Sequence, residues 1–177
     1  HTQSSAASDV YKRQVLLSLV VPIYNEEENI LLLTQRIVEA LKSYSFELIY
    51  IDDCSTDSSR ERIISLNNPN VILIALKKNY GQSLAMAAGF DVAQGDYIVT
   101  LDGDLQNDPS DIPFMLKKLQ QEDLDLVTGV RKKRQDSLIK KVPSKIANTI
   151  IRATTKLNLQ DQGLSLIHIS EPTRQVQ

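Results

Sequence analysis

The sequence predicts an α/β fold: three layers around a doubly wound, mostly parallel sheet. Three observations predict it. Apolar runs of strand length alternate with segments of helical period along most of the 177 residues. Those runs are rich in Val, Ile and Leu without polar alternation, as strands covered on both faces are. Polar segments follow four of the runs, and in such a sheet they share the edge beyond the strands' carboxyl ends, where ligands bind.

The elements follow in order. Strands are expected at Leu16–Val21, Leu48–Ile51, Val71–Ala75, Tyr97–Leu101 and Leu126–Thr128. Between the first two, Glu27–Ser43 places Ile30, Leu33, Ile37 and Leu41 on one helical face. A second helix is expected over Asp57–Leu66, with Ser55 and Thr56 as N-cap candidates and Asn67-Asn68-Pro69-Asn70 as its stop. The third, Ser83–Ala93, is rich in alanine and is followed by Gly95, a suitable left-handed C-cap. Ser110 or Asp111 opens a fourth over Ile112–Gln121, with Pro113 tolerated in its first turn.

Both ends of the chain look foreign to this pattern. Asp9–Gln14 can be encoded by GAT GTG TAT AAG AGA CAG, whose reverse complement reads Leu-Ser-Leu-Ile-His-Ile, the run Leu164–Ile169. That DNA resembles a transposase adapter used in sequencing libraries. Ser4–Gln14 and Leu164–Arg174 are therefore expected to be translated adapter and to lie outside the fold. The expected organisation is a tail over 1–14, one domain over 15–163 that is incomplete at its C-terminus, and a second tail over 164–177. His1 and His168 both fall in the tails, so no histidine chemistry is expected.

Composition narrows the function classes. A net charge of −2 does not suggest nucleic-acid binding. A lone cysteine, Cys54, excludes an intramolecular disulfide framework and a cysteine-rich zinc site. It reads as a small loop residue, since no histidine stands by to activate it. No apolar run reaches the roughly 18 residues of a membrane span.

The chemistry concentrates on the four rim loops, Pro22–Glu26, Asp52–Ser55, Lys77–Gln82 and Asp102–Gln106. There is no Gly-x-Gly-x-x-Gly turn and no Gly-x-x-x-x-Gly-Lys loop, which argues against dinucleotide and P-loop sites. Without a glycine cradle, a diphosphate's charge must be met by a metal and basic side chains. Asp102-Gly103-Asp104 supplies two carboxylates one residue apart where a strand ends, a hard-oxygen site for Mg²⁺ or Mn²⁺ bridged to phosphates. Asp104 is the first metal candidate, with Asp102 beside it and Gln106 offering an amide oxygen. Asp102 has a second reading as the cap of the following turn. Arg131 and Arg134 suit bidentate phosphate recognition, whereas Lys132 and Lys133 read as a solvated basic loop. Tyr24 offers a flat face for a base, and Asp53 an acceptor for a ring N–H. Asp52 reads equally as a helix cap.

Together these residues resemble a family-2 glycosyltransferase of the GT-A fold. The matching elements are Val21–Glu28, Ile51–Asp57, Asn79–Gln82, Leu101–Pro109 and Gly129–Arg131, in order along nearly all of Val15–Gly163. Asp104-Leu105-Gln106 is similar to the polyprenyl-phosphate branch, which includes dolichol-phosphate mannosyltransferases. Arg134–Ser137, Ser144-Lys145 and Asp161–Gly163 most resemble bacterial transferases that load undecaprenyl phosphate with 4-deoxy-4-formamido-L-arabinose or glucose.

The resemblance implies that Pro22, Tyr24, Glu26, Ile51 and Asp53 hold the nucleotide's base and ribose. It implies that Asp102, Gly103, Asp104 and Gln106 surround the metal and diphosphate, with Arg131 near the phosphates. Cys54 stands where the family's loop carries glycine. The implied reaction is an inverting, metal-assisted transfer of a sugar from a UDP- or GDP-sugar to an undecaprenyl or dolichyl phosphate. The implied place is the cytoplasmic face of the membrane, held through segments beyond this chain. Asp104 and Arg131 would be catalytic, and Asp161 would serve as base if the acceptor were a hydroxyl. The alternatives are a family-2 transferase acting on a glycan or polysaccharide hydroxyl, and an inactive nucleotide-binding fragment.

Overall fold

The structure, a computed structural model, describes residues 16–130 and 162–168. Strands β1 (Leu16–Ile23), β2 (Ser45–Asp52), β3 (Val71–Ala75), β4 (Tyr97–Thr100), β5 (Leu126–Val130) and β6 (Gln162–His168) form one sheet. Their order is β3-β2-β1-β4-β6-β5. The first four run parallel to one another, and β6 runs antiparallel to both β4 and β5. Helices α1 (Ile30–Ala40), α2 (Ser59–Ser65), α3 (Gln82–Val92) and α4 (Ile112–Gln121) flank the sheet, and a 3₁₀ turn at Pro109–Asp111 leads into α4.

Two buried clusters show why this sequence makes three layers. Alternate residues of a strand point to opposite faces. In β1, Leu17, Leu19, Val21 and Ile23 join Ile30, Leu33 and Ile37 of α1, Ile63 of α2 and Met115, Leu116 and Leu119 of α4. Val20 turns the other way and meets Ile49, Ile51, Ile98 and Ala85 of α3. Truncating one of these buried leucines to alanine costs on the order of 2–5 kcal/mol. In the first cluster Tyr50 is fully buried, its hydroxyl 2.9 Å from Thr34 Oγ1, and burial pushes the phenol up to about 12.

Helix α3 sits close to the sheet because it is built from small residues. A Cβ on Gly89 would lie 2.5 Å from Val20 Cγ1 and 2.8 Å from Ile51 Cδ1. Close approach also explains Gly95, where the sequence suggests a left-handed cap. The C-cap of α3 is Ala93 at φ −58°, and Gly81 is the glycine with positive φ among the described residues. A Cβ on Gly95 would instead meet Ser18 Oγ at 2.6 Å and Leu16 O at 2.8 Å. Its N–H donates to Ser18 Oγ, which donates in turn to Glu47 Oε1.

The starts of two helices differ from the sequence expectation. Helix α1 begins at Ile30 rather than Glu27, and α2 at Ser59 with Ser58 as N-cap and no side-chain cap bond. Ser55 and Thr56 do not cap α2 because both are spent on Asn25 of the neighbouring loop. Helix α4 has the expected span, with Asp108 accepting from Ser110 N–H in the turn before it.

The largest departure is β6. The boundary expected at residue 163 falls inside this strand, and residues 164–168, set aside as tail, pair along β4 and β5. Sheet pairing uses backbone N–H and C=O groups, so a run of suitable β propensity can fill a place between two strands whatever its origin.

Candidate functional site

The sheet reverses its strand order at β1, which has β2 on one side and β4 on the other. Ligands of open α/β sheets bind in the crevice outside such a switch point. A cleft of about 380 Å³ lies there, within the size range of small-molecule sites. Pro22, Tyr24, Glu26, Asp53, Asp102, Gly103 and Asp104 all line it, gathered from three of the rim loops. Ile23, Asn79, Gly81 and Gln82 line it as well. The last three belong to a rim loop and to the matched element Asn79–Gln82, to which the sequence assigns no residue-by-residue role.

At one end of the cleft the loops after β1 and β2 are stitched to each other. Asn25 turns the chain at φ 57°; its N–H donates to Ser55 Oγ at 3.0 Å, and its Oδ1 accepts from Thr56 N–H at 2.8 Å. Glu26 N–H donates to Ser59 Oγ at 2.8 Å, and Glu27 N–H to Asp57 Oδ2 at 3.1 Å. Ser58 N–H returns a bond to Glu27 Oε2 at 2.9 Å. Burial pushes the Asp57 carboxyl up, but the bonds it accepts from Ser59 and Glu27 outweigh this and hold it below the usual range. Tyr24 stands at the mouth with its side chain half exposed.

The two aspartates at the end of β2 divide between anchoring and lining. Asp52 is fully buried. Its Oδ2 accepts from Arg60 Nε at 2.8 Å and Nη2 at 2.6 Å, and its Oδ1 from Ser55 N–H at 2.9 Å. It therefore fixes the loop rather than capping α2. Asp53 lines the cleft, yet its oxygens already accept from two backbone groups, Tyr80 N–H at 2.7 Å and Gly81 N–H at 2.8 Å. Ile51 lies below the rim. Its side chain is fully buried in the cluster beneath α3 and is not among the residues lining the cleft. Cys54 sits at φ 63°, the left-handed region where glycine is favoured.

The other end is the turn after β4. Gly103 is buried under the end of β1, where a Cβ would lie 2.6 Å from Ile23 Cδ1 and 3.5 Å from Pro22 O. Leu105 at φ 61° then bends the chain so that Gln106 N–H donates to Asp104 Oδ1 at 3.1 Å. The Gln106 side chain is exposed and is not among the residues lining the cleft, in contrast to its expected place around a metal. Asp102 accepts from Gln82 Nε2 at 2.9 Å and from Asn107 Nδ2 at 3.4 Å. The Asp108 carboxyl is held below its usual range by the Ser110 N–H. Arg131, Lys132, Lys133, Arg134 and Asp161 lie outside the described residues, as do Gln135–Ser137 and Ser144-Lys145.

This donor set fits one kind of metal site. Among the described residues no group of three or more His, Cys, Asp or Glu stands ready to hold an ion. Two hard carboxylates without His or Cys suit Mg²⁺ or Mn²⁺, which complete their shells with phosphate oxygens and water. They do not suit a zinc ion held by protein alone.

Residues 18–173 match the family described as "Glycosyl transferase family 2". Among curated proteins, a dodecaprenyl-phosphate galacturonate synthase of Rhizobium johnstonii is 45% identical over 85% of this chain and 46% of its own. An undecaprenyl-phosphate 4-deoxy-4-formamido-L-arabinose transferase of Salmonella choleraesuis is 43% identical over 85% of this chain and 47% of its own. The chain thus spans less than half the length of these relatives. Among solved structures, a Pyrobaculum calidifontis mannosyltransferase, in complex with GDP-mannose and Mn²⁺, superposes with a TM-score of 0.64. It is 21% identical and covers 89% of this chain and 45% of its own, a likeness of fold.

Proposed function

Because this chain belongs to glycosyl transferase family 2, we propose that its cleft is the donor site of an inverting glycosyltransferase. The enzyme moves a sugar from a nucleoside-diphosphate sugar to a polyprenyl phosphate. The observation that carries the reading is the meeting of Asp102, Gly103 and Asp104 with Tyr24, Glu26 and Asp53 in one cleft at the switch point. The named activities of the Rhizobium and Salmonella relatives, both on polyprenyl phosphates, support the acceptor class. A polyprenyl phosphate is a membrane lipid, and the cytoplasmic face of the membrane is the place we assign to the transfer. Among the described residues no helix is long and apolar enough to cross one, so the attachment is assigned to other segments.

In this reading Tyr24 stacks on the base, and Pro22 and Glu26 shape the ribose pocket. Asp102 and Asp104 hold Mg²⁺ or Mn²⁺ against the diphosphate; the ion, when bound, neutralises charge developing on the leaving nucleoside diphosphate. Gly103 lets this turn lie against β1, so that the carboxylates face the same volume as the base. An oxygen of the acceptor phosphate attacks the anomeric carbon as the bond to the nucleoside diphosphate breaks. That oxygen is already anionic at neutral pH, so the step rests on positioning and electrostatics more than on a general base. Arg131 is assigned to the phosphates, and Asp161 to a base role only for a hydroxyl acceptor.

Calorimetric titration of the 177-residue chain with UDP and with GDP, in Mn²⁺ and then in chelator, tests the donor site. The expected outcome is Mn²⁺-dependent binding of one nucleotide, weakened about a hundredfold or more by Asp104→Ala at unchanged fold. A folded chain that ignores both nucleotides would overturn the reading. Transfer of radiolabelled sugar to polyprenyl phosphate by the longer protein tests the acceptor.

A further inference from the structure

Building on that donor-site reading, we propose that Gln82 is a positioning residue for Asp102, carried on a turn that also ties Asp102 to Asp53. The turn begins where two consecutive backbone donors, Tyr80 N–H at 2.7 Å and Gly81 N–H at 2.8 Å, enter the buried carboxylate of Asp53. Gly81 adopts φ 87° and ψ 160°, and nothing lies within 4 Å of where its Cβ would be. Glycine is there for its backbone conformation, not for lack of space. That conformation delivers Gln82 as the first residue of α3, with its Nε2 2.9 Å from Asp102 Oδ1. Asn107 Nδ2 approaches the other oxygen, Oδ2, at 3.4 Å.

The chemistry of the amide matters. Bonds accepted on both oxygens fix the plane of a carboxylate. A neutral donor also leaves the full negative charge in place, where a lysine or arginine would compete with the cation. The mount is rigid, because Gly89 seats α3 directly on Val20 and Ile51 of the sheet. Gln82 therefore does for Asp102 what partners in a second layer do for metal ligands generally. It holds the group in its binding orientation before the ion arrives.

The test separates the two ends of the cleft. Binding of the nucleoside without metal reports the base end; the Mn²⁺ concentration that half-saturates binding of the matching nucleoside diphosphate reports the carboxylate end. Gln82→Ala and the near-isosteric, neutral Gln82→Met, which removes the donor without adding charge, are compared with the unaltered 177-residue chain. Both are expected to raise the Mn²⁺ half-saturation roughly 10-fold or more, the scale of lost second-layer partners. Nucleoside affinity and thermal midpoint should stay put, since Gln82 is exposed on the first turn of α3. Unchanged Mn²⁺ half-saturation in both variants would overturn the inference while leaving the donor site standing. Equal losses of nucleoside and Mn²⁺-dependent binding would overturn it too, by showing a general role in shaping the cleft. If the unaltered chain binds no nucleotide with Mn²⁺, the donor-site reading fails and the inference goes with it.

Discussion

The two ends of the cleft are built on different plans. At the β1/β2 end, two loops about thirty residues apart in sequence exchange hydrogen bonds through Asn25, Glu26 and Glu27 on one side and Ser55, Asp57 and Ser59 on the other. Each loop's side chains satisfy the other's backbone, so this wall of the cleft exists before any ligand arrives. At the β4 end, Asp104 accepts from Gln106 and Asp108 from Ser110, contacts local to one segment, and Gln82 reaches in from α3. That end presents neighbouring carboxylates, whose repulsion a cation relieves. The difference teaches a division of labour. In the proposed donor site, a flat neutral base would meet a preformed wall, whereas a charged diphosphate and its ion would supply part of their own site.

Three substitutions would break or sharpen this contrast. The largest effect is expected from Gly103→Ala, which forces a methyl toward Ile23 Cδ1 at the β4 end. Overpacking of this kind costs about 1–3 kcal/mol. The displaced turn should also weaken Mn²⁺-dependent nucleotide binding by about tenfold, while nucleoside binding holds; urea unfolding and calorimetry together read both. Ser59→Ala acts on the opposite end. It removes the acceptor of Glu26 N–H from a fully buried position, for a loss of about 1 kcal/mol. Here the stability loss should come with no change in Mn²⁺ half-saturation, and a parallel shift in that value would erase the distinction between the ends. Smallest is Cys54→Gly, expected to gain about 0.5 kcal/mol because glycine relieves the φ 63° strain but adds unfolded-state freedom. A thermal midpoint that falls would show that the Cys54 side chain contributes more than its backbone costs.

Much of this plan is legible in the sequence, and what is not has identifiable causes. Strand–helix alternation gives the layers, and the rule that ligands bind beyond strand ends gathers Pro22, Asp53 and Asp102 before any coordinates do. The role of Asp53 as a clamp on Tyr80 and Gly81 is hidden, because a rim carboxylate reads the same whether it awaits a ligand or holds a loop. Gly81 is the available signal, a glycine with no packing reason between two polar residues. Ile51 lies within a matched motif, and a motif does not say which of its residues line a cleft and which pack beneath it. Ser55 and Thr56 mislead similarly, since a hydroxyl before a helix suits a cap and a cross-loop bond equally well. Strand β6 escapes because residues 164–168 read as translated tail, although Leu164, Leu166 and Ile167 suit a strand.

The sixth strand also settles how much open edge the sheet presents. Strand β5 has β6 as its sole neighbour among the described strands, and β6 covers the outer edge of β4 as well. Without a strand in that place, the outer edge of β4 and the facing edge of β5 would be open to other chains. Whichever run takes the place, residues 162–168 in this chain, therefore guards the sheet against edge-to-edge association.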